Sequence, residues 1–129
     1  MRKLLLIAFL PLLVGCFESP SELNGTWQFR DKSVNGIIVS QYCDKYNKMY
    51  LNDRPTKEQW YADVVNKECK SFPLREIQFD VDSDGRHLWI DGWKYDYQIL
   101  NGDTLKMWYT AYDTDGSPLN VIELWKRVL

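Results

Sequence analysis

The chain has 129 residues, with 16 Lys and Arg against 18 Asp and Glu and a formal charge of −2. That length holds one domain, and the charge balance excludes the basic footprint of a nucleic-acid binder. Six Trp, eight Tyr and five Phe exclude a disordered chain, because disordered chains are poor in aromatics.

The N-terminus reads MRKLLLIAFLPLLVGC. Arg2 and Lys3 precede an apolar run from Leu4 to Leu13 that is broken only by Pro11. The run is too short to cross a bilayer as a helix, which takes about 20 residues, and it has the dimensions of a signal-peptide core. Leu13-Val14-Gly15-Cys16 resembles a bacterial lipobox. The resemblance implies residues 1–15 as a lipoprotein signal peptide, cleavage after Gly15, and lipid on the Cys16 thiol and on the new α-amine. Ordinary cleavage that leaves Cys16 a plain thiol is the alternative. Loss of residues 1–15 removes Arg2 and Lys3 and no acid, which moves the charge from −2 to −4. Several acyl chains anchor stably where one is marginal. Phe17 after the Cys, by the sorting rule of such lipoproteins in a Gram-negative cell, implies the outer membrane, where an Asp would imply the inner one. Residues 16–23 then form the lipidated N-terminus and tether. With Cys16 taken by lipid, Cys43 and Cys69 remain as an even pair in an oxidising compartment, where a disulfide is the default and two core thiols are the alternative.

Residues 24–129 form the domain. Gly25-Thr26-Trp27-Gln28-Phe29 opens a first strand with Trp27 and Phe29 on one face. Asn35-Gly36 is a hairpin turn, Ile37–Tyr42 a second strand and Tyr46–Leu51 a third. Residues 55–69 change period. Thr56 and Gln59 fit a capping box, and Tyr61, Val64, Val65 and Cys69 fall on one helical face, which predicts one inserted α-helix with Cys69 on its buried side. From Leu74 onward the pattern alternates. Ile77, Phe79 and Val81 face inward, and an Asp84-Gly85 turn sets Val81 opposite Leu88 and Phe79 opposite Ile90. Trp93, Tyr95, Tyr97 and Ile99 share one parity. A loop at Leu100-Asn101-Gly102 keeps that face apolar by setting Tyr97 opposite Leu105 and Tyr95 opposite Met107. Asp115-Gly116-Ser117-Pro118 turns into a last strand, Asn120–Val128. The expectation is a mainly β domain, an antiparallel meander of seven or eight strands that closes into a barrel because open edges are a liability.

Gly25-Thr26-Trp27 matches the G-x-W pattern of lipocalin-like (calycin-like) barrels, and the meander after Tyr97 resembles the later strands of small bacterial members. The resemblance implies that Trp27 sits on the barrel floor beneath Arg127 of the closing strand, where cation–π attraction adds about 0.5–2 kcal/mol. A T-D-Y-type second motif is absent, and the predicted helix lies inside the strand order.

Tyr95, Tyr97, Met107 and Tyr109 are the candidate ligand-binding residues, since an eight-stranded barrel either fills with side chains or holds one small ligand. Asp80-Val81-Asp82-Ser83-Asp84-Gly85, with Asp91 at loop position twelve, approaches a calcium loop. Its strand-like flanks and His87 at position eight make it an acidic hairpin tip, so Asp80, Asp82, Asp84 and Asp91 stand only as a weak metal candidate. His87, the single imidazole, sits beside a turn, and no G-x-S-x-G, P-loop or zinc spacing is present, so neither an enzyme nor a cofactor is expected. The leading expectation is a lipid-anchored envelope protein that binds a small apolar or amphipathic ligand. The runner-up is a protein-binding lipoprotein that inhibits or neutralises an envelope-active enzyme. An interior cavity favours the first, and a filled barrel with exposed aromatics favours the second.

Overall fold

A computed structural model describes residues 21–128 of the chain; the signal-peptide and lipidation readings at residues 1–16 lie outside them. Trp27 and Phe29 are buried while Arg30 is exposed, and this alternation begins β1 (Gly25–Val34). After β2 (Ile37–Ile38) and a 3-10 turn at Tyr42–Tyr46 come β3 (Lys48–Leu51), β4 (Thr56–Glu58), β5 (Trp60–Ala62), β6 (Cys69–Ser71) and β7 (Arg75–Glu76). The rest is a meander of β8 (Phe79–Val81), β9 (His87–Ile90), β10 (Trp93–Leu100), β11 (Thr104–Tyr112) and β12 (Pro118–Val128). Apart from β5 and β6, which pair with each other, all of these strands join one curled antiparallel sheet in the order β7-β4-β3-β1-β12-β11-β10-β9-β8, with β2 beside β1. The molecule is mainly β, and the sheet forms a half-barrel.

The two edges of this sheet are consecutive in sequence. Arg75 pairs with Lys57 of β4, and Phe79, four residues later, pairs with Ile90 of β9. A single extended segment, 75–81, therefore joins one edge to the other. Its middle is tied on both sides: the Ile77 N–H donates to the Pro55 carbonyl at 2.9 Å, and the Asp91 N–H donates to the Gln78 carbonyl at 2.9 Å.

The core is filled. Trp27, Trp125, Leu23, Met49, Leu51, Leu88, Leu105 and Met107 are fully buried, and Phe29 meets Trp125 edge-on with ring centroids 5.3 Å apart. Full burial of one such side chain contributes about 1.5–3 kcal/mol. Phe79, Val81, Tyr95 and Ile99, partly buried, pack against this cluster.

The structure corrects the sequence reading in three places. No helix spans 55–69; the segment is β4, β5, a turn and β6. Val64 and Val65 sit in the turn, 91% and 86% exposed. The Asp63 carboxylate accepts the Val65 N–H at 2.9 Å, and the Lys67 N–H donates to the Asp63 carbonyl at 2.8 Å. The helix-like spacing belongs to this tight turn, and β4 satisfies the β3 edge that a helix would leave unpaired. Second, the strand expected at 37–42 ends at Ile38, and Cys43 lies in the 3-10 turn. Third, the β10–β11 register is two residues from the expected one. Asn101 and Gly102 both take positive φ, and the Asp103 N–H donates to the Leu100 carbonyl. The three-residue loop is therefore Asn101-Gly102-Asp103, one position later than expected, and pairing begins at Leu100 and Thr104, which sets Tyr97 opposite Met107. A two-residue shift leaves every side chain on its face, so the inward set is unchanged. The β8–β9 register is the expected one, with Val81 opposite Leu88 and Phe79 opposite Ile90.

Cys43 and Cys69 form a disulfide, with Cα atoms 5.5 Å apart. It staples the 3-10 turn to β6, and Tyr46 packs on Trp60 beside it.

Candidate functional site

One end of the half-barrel is plugged. The Trp27 Nε1–H donates to the Leu23 carbonyl at 3.0 Å, which folds the chain before β1 beneath the indole. Arg127, paired with Trp27 across the β1–β12 ladder, holds its Cζ 4.2 Å from the centre of the Trp27 ring. Its guanidinium donates to the carbonyls of Asn24 at 2.9 Å, Gly102 at 3.1 Å and Glu22. The Arg127 N–H donates to the Asp103 carbonyl at 2.8 Å, so the last residue of the β10–β11 loop serves the floor. Gly25 has φ +131, and a Cβ there would sit 3.1 Å from Arg127 Nη1. The Gly of the Gly25-Thr26-Trp27 motif is thus required by backbone conformation and by the approach of the guanidinium.

Tyr95, Tyr97, Met107 and Tyr109 all face inward, but at different depths. Tyr97 and Met107 are part of the packed core, and burial pushes the Tyr97 hydroxyl above its ordinary pKa. Tyr95 and Tyr109 are half-buried and meet edge-on, with centroids 5.3 Å apart. Burial, with Glu123, Tyr109 and Asp91 adding to it, raises the Tyr95 pKa well above 10. These two therefore border the open end, while the deeper pair fills the interior.

The open end also carries charges that the sequence reading missed. A bulge between Phe29 and Asp31 changes which side chains of β1 face inward and sets Lys32 opposite Glu123. Glu123 stands opposite buried Met107 on its other side, and its carboxylate accepts the Trp125 Nε1–H at 3.1 Å. Lys57 stands opposite buried Met49, with Nζ 5.9 Å from the centre of the Trp125 ring. Burial holds its amine below the usual lysine range; Arg75 and Lys32 act the same way, and Glu123 and Asp91 oppose them. A pocket of about 450 Å³ opens here, lined by Lys57, Gln59, Phe72, Pro73 and Arg75. The helical reading of 55–69 hid Lys57, whose place is set by the pairing of β4 with β3. The period-two pattern of β12 could have found Glu123, two residues before Trp125.

Asp80, Asp82, Asp84 and Asp91 do not converge. Asp80 is exposed on β8, and Asp91 belongs to the seam: it accepts the Gln78 N–H at 2.9 Å and pairs with Arg75 at 2.8 Å. Asp82 and Asp84 gather with His87 instead, their ligand atoms within 4.8 Å of one another. His87 Nδ1 lies 2.6 Å from Asp84 and Nε2 lies 2.9 Å from Asp96, so the imidazole bridges the β8–β9 turn to β10.

Asp91 is the latch of the seam, and its loss has a defined signature. Asp91→Ala removes the Gln78 bond and the Arg75 ion pair together, and the expected destabilisation is about 1–2 kcal/mol, since the ion pair is partly exposed. The Gln78 N–H and then Arg75 hold the Asp91 carboxyl below the ordinary carboxylate range. A depressed folded-state pKa gives stability that is present above the unfolded value, about 3.9, and lost as pH falls through the folded one. Urea midpoints measured from pH 6 to pH 2 should show wild type and variant converging at the acid end. A constant gap across that range would sink the assignment.

No family model and no curated protein matches the sequence. Among solved structures the fold is similar to that of bovine odorant-binding protein, described in complex with its natural ligand. The identity is 14% and the TM-score 0.46, over 87% of this chain and 75% of that one.

Proposed function

We propose that this protein is a lipid-anchored component of a bacterial envelope, held at the outer membrane facing the periplasm, and that it binds one small amphipathic ligand at the open end of its half-barrel. The observation that carries the binding reading is the pocket of about 450 Å³, at the end of the barrel away from the Trp27–Arg127 floor. Its volume lies in the range of small-molecule sites, about 300–1,000 Å³. Aromatic and ring side chains, Phe72 and Pro73, meet polar and charged ones, Gln59, Lys57 and Arg75, which is the lining an amphipathic molecule needs. The anchor rests on the sequence alone: the charged start, the short apolar core and the Leu-Val-Gly-Cys box ending at Cys16.

Both halves are testable. Native mass spectrometry of protein released from its own host's membranes should give a mass above that of the lipidated chain by one bound small molecule; recovery of the bare mass alone would overturn ligand binding. Cys16→Ser should leave the protein unlipidated, and a variant that remains cleaved and acylated as before would rule out Cys16 as the attachment point.

A second reading has its own observation. Val64, Val65, Phe72 and Leu74 are exposed on or next to the disulfide-stapled hairpin, and apolar side chains of this kind suit a protein partner. With a mature charge of −4, a basic envelope-active enzyme is the matching target, and the protein would act as its inhibitor or immunity protein. A stoichiometric protein in the same mass spectrum would favour it.

A further inference from the structure

His87 is the single imidazole of the chain, and both of its ring nitrogens meet carboxylates. Nε2 lies 2.9 Å from Asp96 Oδ1 of β10. Nδ1 lies 2.6 Å from Asp84 Oδ2 and 4.0 Å from Asp82 Oδ2, both on the β8–β9 turn. A neutral imidazole carries one N–H. The bond to Asp96 holds that proton on Nε2, so the Nδ1 lone pair faces two carboxylate oxygens. Three acceptors turned on one point repel one another unless a cation stands between them.

The other polar atom of each group is held from outside this triangle. Asp82 Oδ1 accepts the Trp89 Nε1–H at 2.9 Å. Asp84 Oδ1 accepts the backbone N–H of Arg86 at 2.9 Å and of His87 at 3.3 Å. Nε2–H of His87 is taken by Asp96, a residue of another strand. An indole, the turn backbone and β10 thus aim Asp82, Asp84 and His87 at a common point, with one ligand atom from each within 4.8 Å of the others. Outer partners of this kind orient the ligands of a metal and fix the tautomer of a ligating histidine.

The geometry points to a site for one divalent transition-metal cation of the zinc class, ligated by Asp82 Oδ2, Asp84 Oδ2 and His87 Nδ1, with Asp96 as the positioning residue behind the imidazole. Zinc–ligand bonds of about 2.0–2.1 Å at tetrahedral angles set neighbouring ligand atoms about 3.3 Å apart. The 2.6 and 4.0 Å separations of Nδ1 from the two acids lie on either side of that value. One nitrogen and two carboxylates suit a borderline cation and fall short of calcium, which takes about six to eight oxygens. The set is not the one that the D-x-D-x-D-G spacing suggested: Asp80 and Asp91 drop out, and His87 enters. All three side chains are partly exposed, which gives the ion an entry path, and a fourth position falls to water. The site does not depend on the small-ligand reading.

The test titrates zinc into the full chain in nanodiscs of phosphatidylcholine by isothermal calorimetry, with empty discs subtracted. The expected result is one zinc per chain, retained in about tenfold excess calcium or magnesium. His87→Gln should weaken zinc by about tenfold or more. Asp96→Asn keeps an acceptor for Nε2–H but loses its charge, and should weaken zinc by about tenfold. Asp80→Asn should leave the affinity unchanged. Circular dichroism checks that the variants are folded. Because the chain has one imidazole, nitrogen NMR of the histidine-labelled wild type reads the liganding atom directly: zinc should move the Nδ1 resonance while Nε2 keeps its proton. Absence of saturable zinc uptake overturns the site and leaves His87 as an imidazolium that bridges the acids. Unchanged affinity in folded His87→Gln, or zinc at Nε2, overturns the ligand assignment. Displacement by equal calcium overturns the class of metal, and unchanged affinity in Asp96→Asn overturns the positioning role. An equal loss in Asp80→Asn reduces the site to a general acidic surface and overturns it as well.

Discussion

Trp27→Ala is expected to lower the unfolding free energy by about 3–5 kcal/mol, the range of a fully buried large-to-small truncation. The indole is wholly inaccessible and does three jobs at once. It packs in the core, it holds the Leu23 carbonyl through Nε1–H, and it offers its face to Arg127. Without the ring, the Arg127 guanidinium keeps its three carbonyl bonds to Glu22, Asn24 and Gly102 but loses the surface it lies on. Trp27→Phe keeps most of the packing and the aromatic face and loses the N–H bond, so its cost should be nearer 1–2 kcal/mol. Urea unfolding of the two variants separates the roles. If the Phe variant is as unstable as the Ala one, the hydrogen bond rather than the packing dominates, and this account of the floor is wrong.

Loss of the Cys43–Cys69 disulfide is the second large effect. The bridge closes a loop with a sequence separation of 26, and the chain-entropy model gives about 3.5 kcal/mol for a loop of that size. Of the segment it encloses, β3 is held by β1 and the core, whereas β5 pairs only with β6, outside the main sheet. The bridge sits at the start of β6, next to a turn whose valines face solvent. Cys43→Ala with Cys69→Ala should therefore destabilise the whole domain and, before global unfolding, loosen the β5–β6 hairpin selectively. Amide exchange should rise first at Tyr61 to Lys70 and last at β1 and β12. Uniform acceleration across the sheet would contradict the local role.

The parts of the fold that the sequence made legible are those where a strict period of two meets a turn residue with a defined backbone. Phe79, Val81, Leu88 and Ile90 are an example: alternation on both sides of Asp84-Gly85 admits one register, and that register is the one observed. Trp27, Phe29, Tyr97 and Met107 were inward by parity and are buried. The 55–69 segment was not legible, because Tyr61, Val64 and Val65 follow helical spacing only by coincidence. Their positions are decided by partners far away, by β3 needing a neighbour and by Cys69 reaching Cys43. The β10–β11 offset had a smaller cause, a three-residue loop placed one position later, at Asn101-Gly102-Asp103. Lys57 and Glu123 escaped notice for a physical reason as well. Charged residues are read as solvent-facing by default, and only a strand pairing or a bulge can turn one inward.

The place of β1 and β12 in the sheet has a consequence for how the molecule forms. These two strands lie side by side at its centre, with Thr26 against Val128 about a hundred residues apart, while the middle of the chain supplies both edges. Among the described strands, synthesis makes β1 before the rest of the sheet and β12 after it. β1 can pair with β3 early, but its other edge waits for β12 until the rest of the sheet is made. Loop closure over that span must come before its contacts can reward it, which predicts slow, late closure of the barrel. Until then one edge of the central strand stays unpaired.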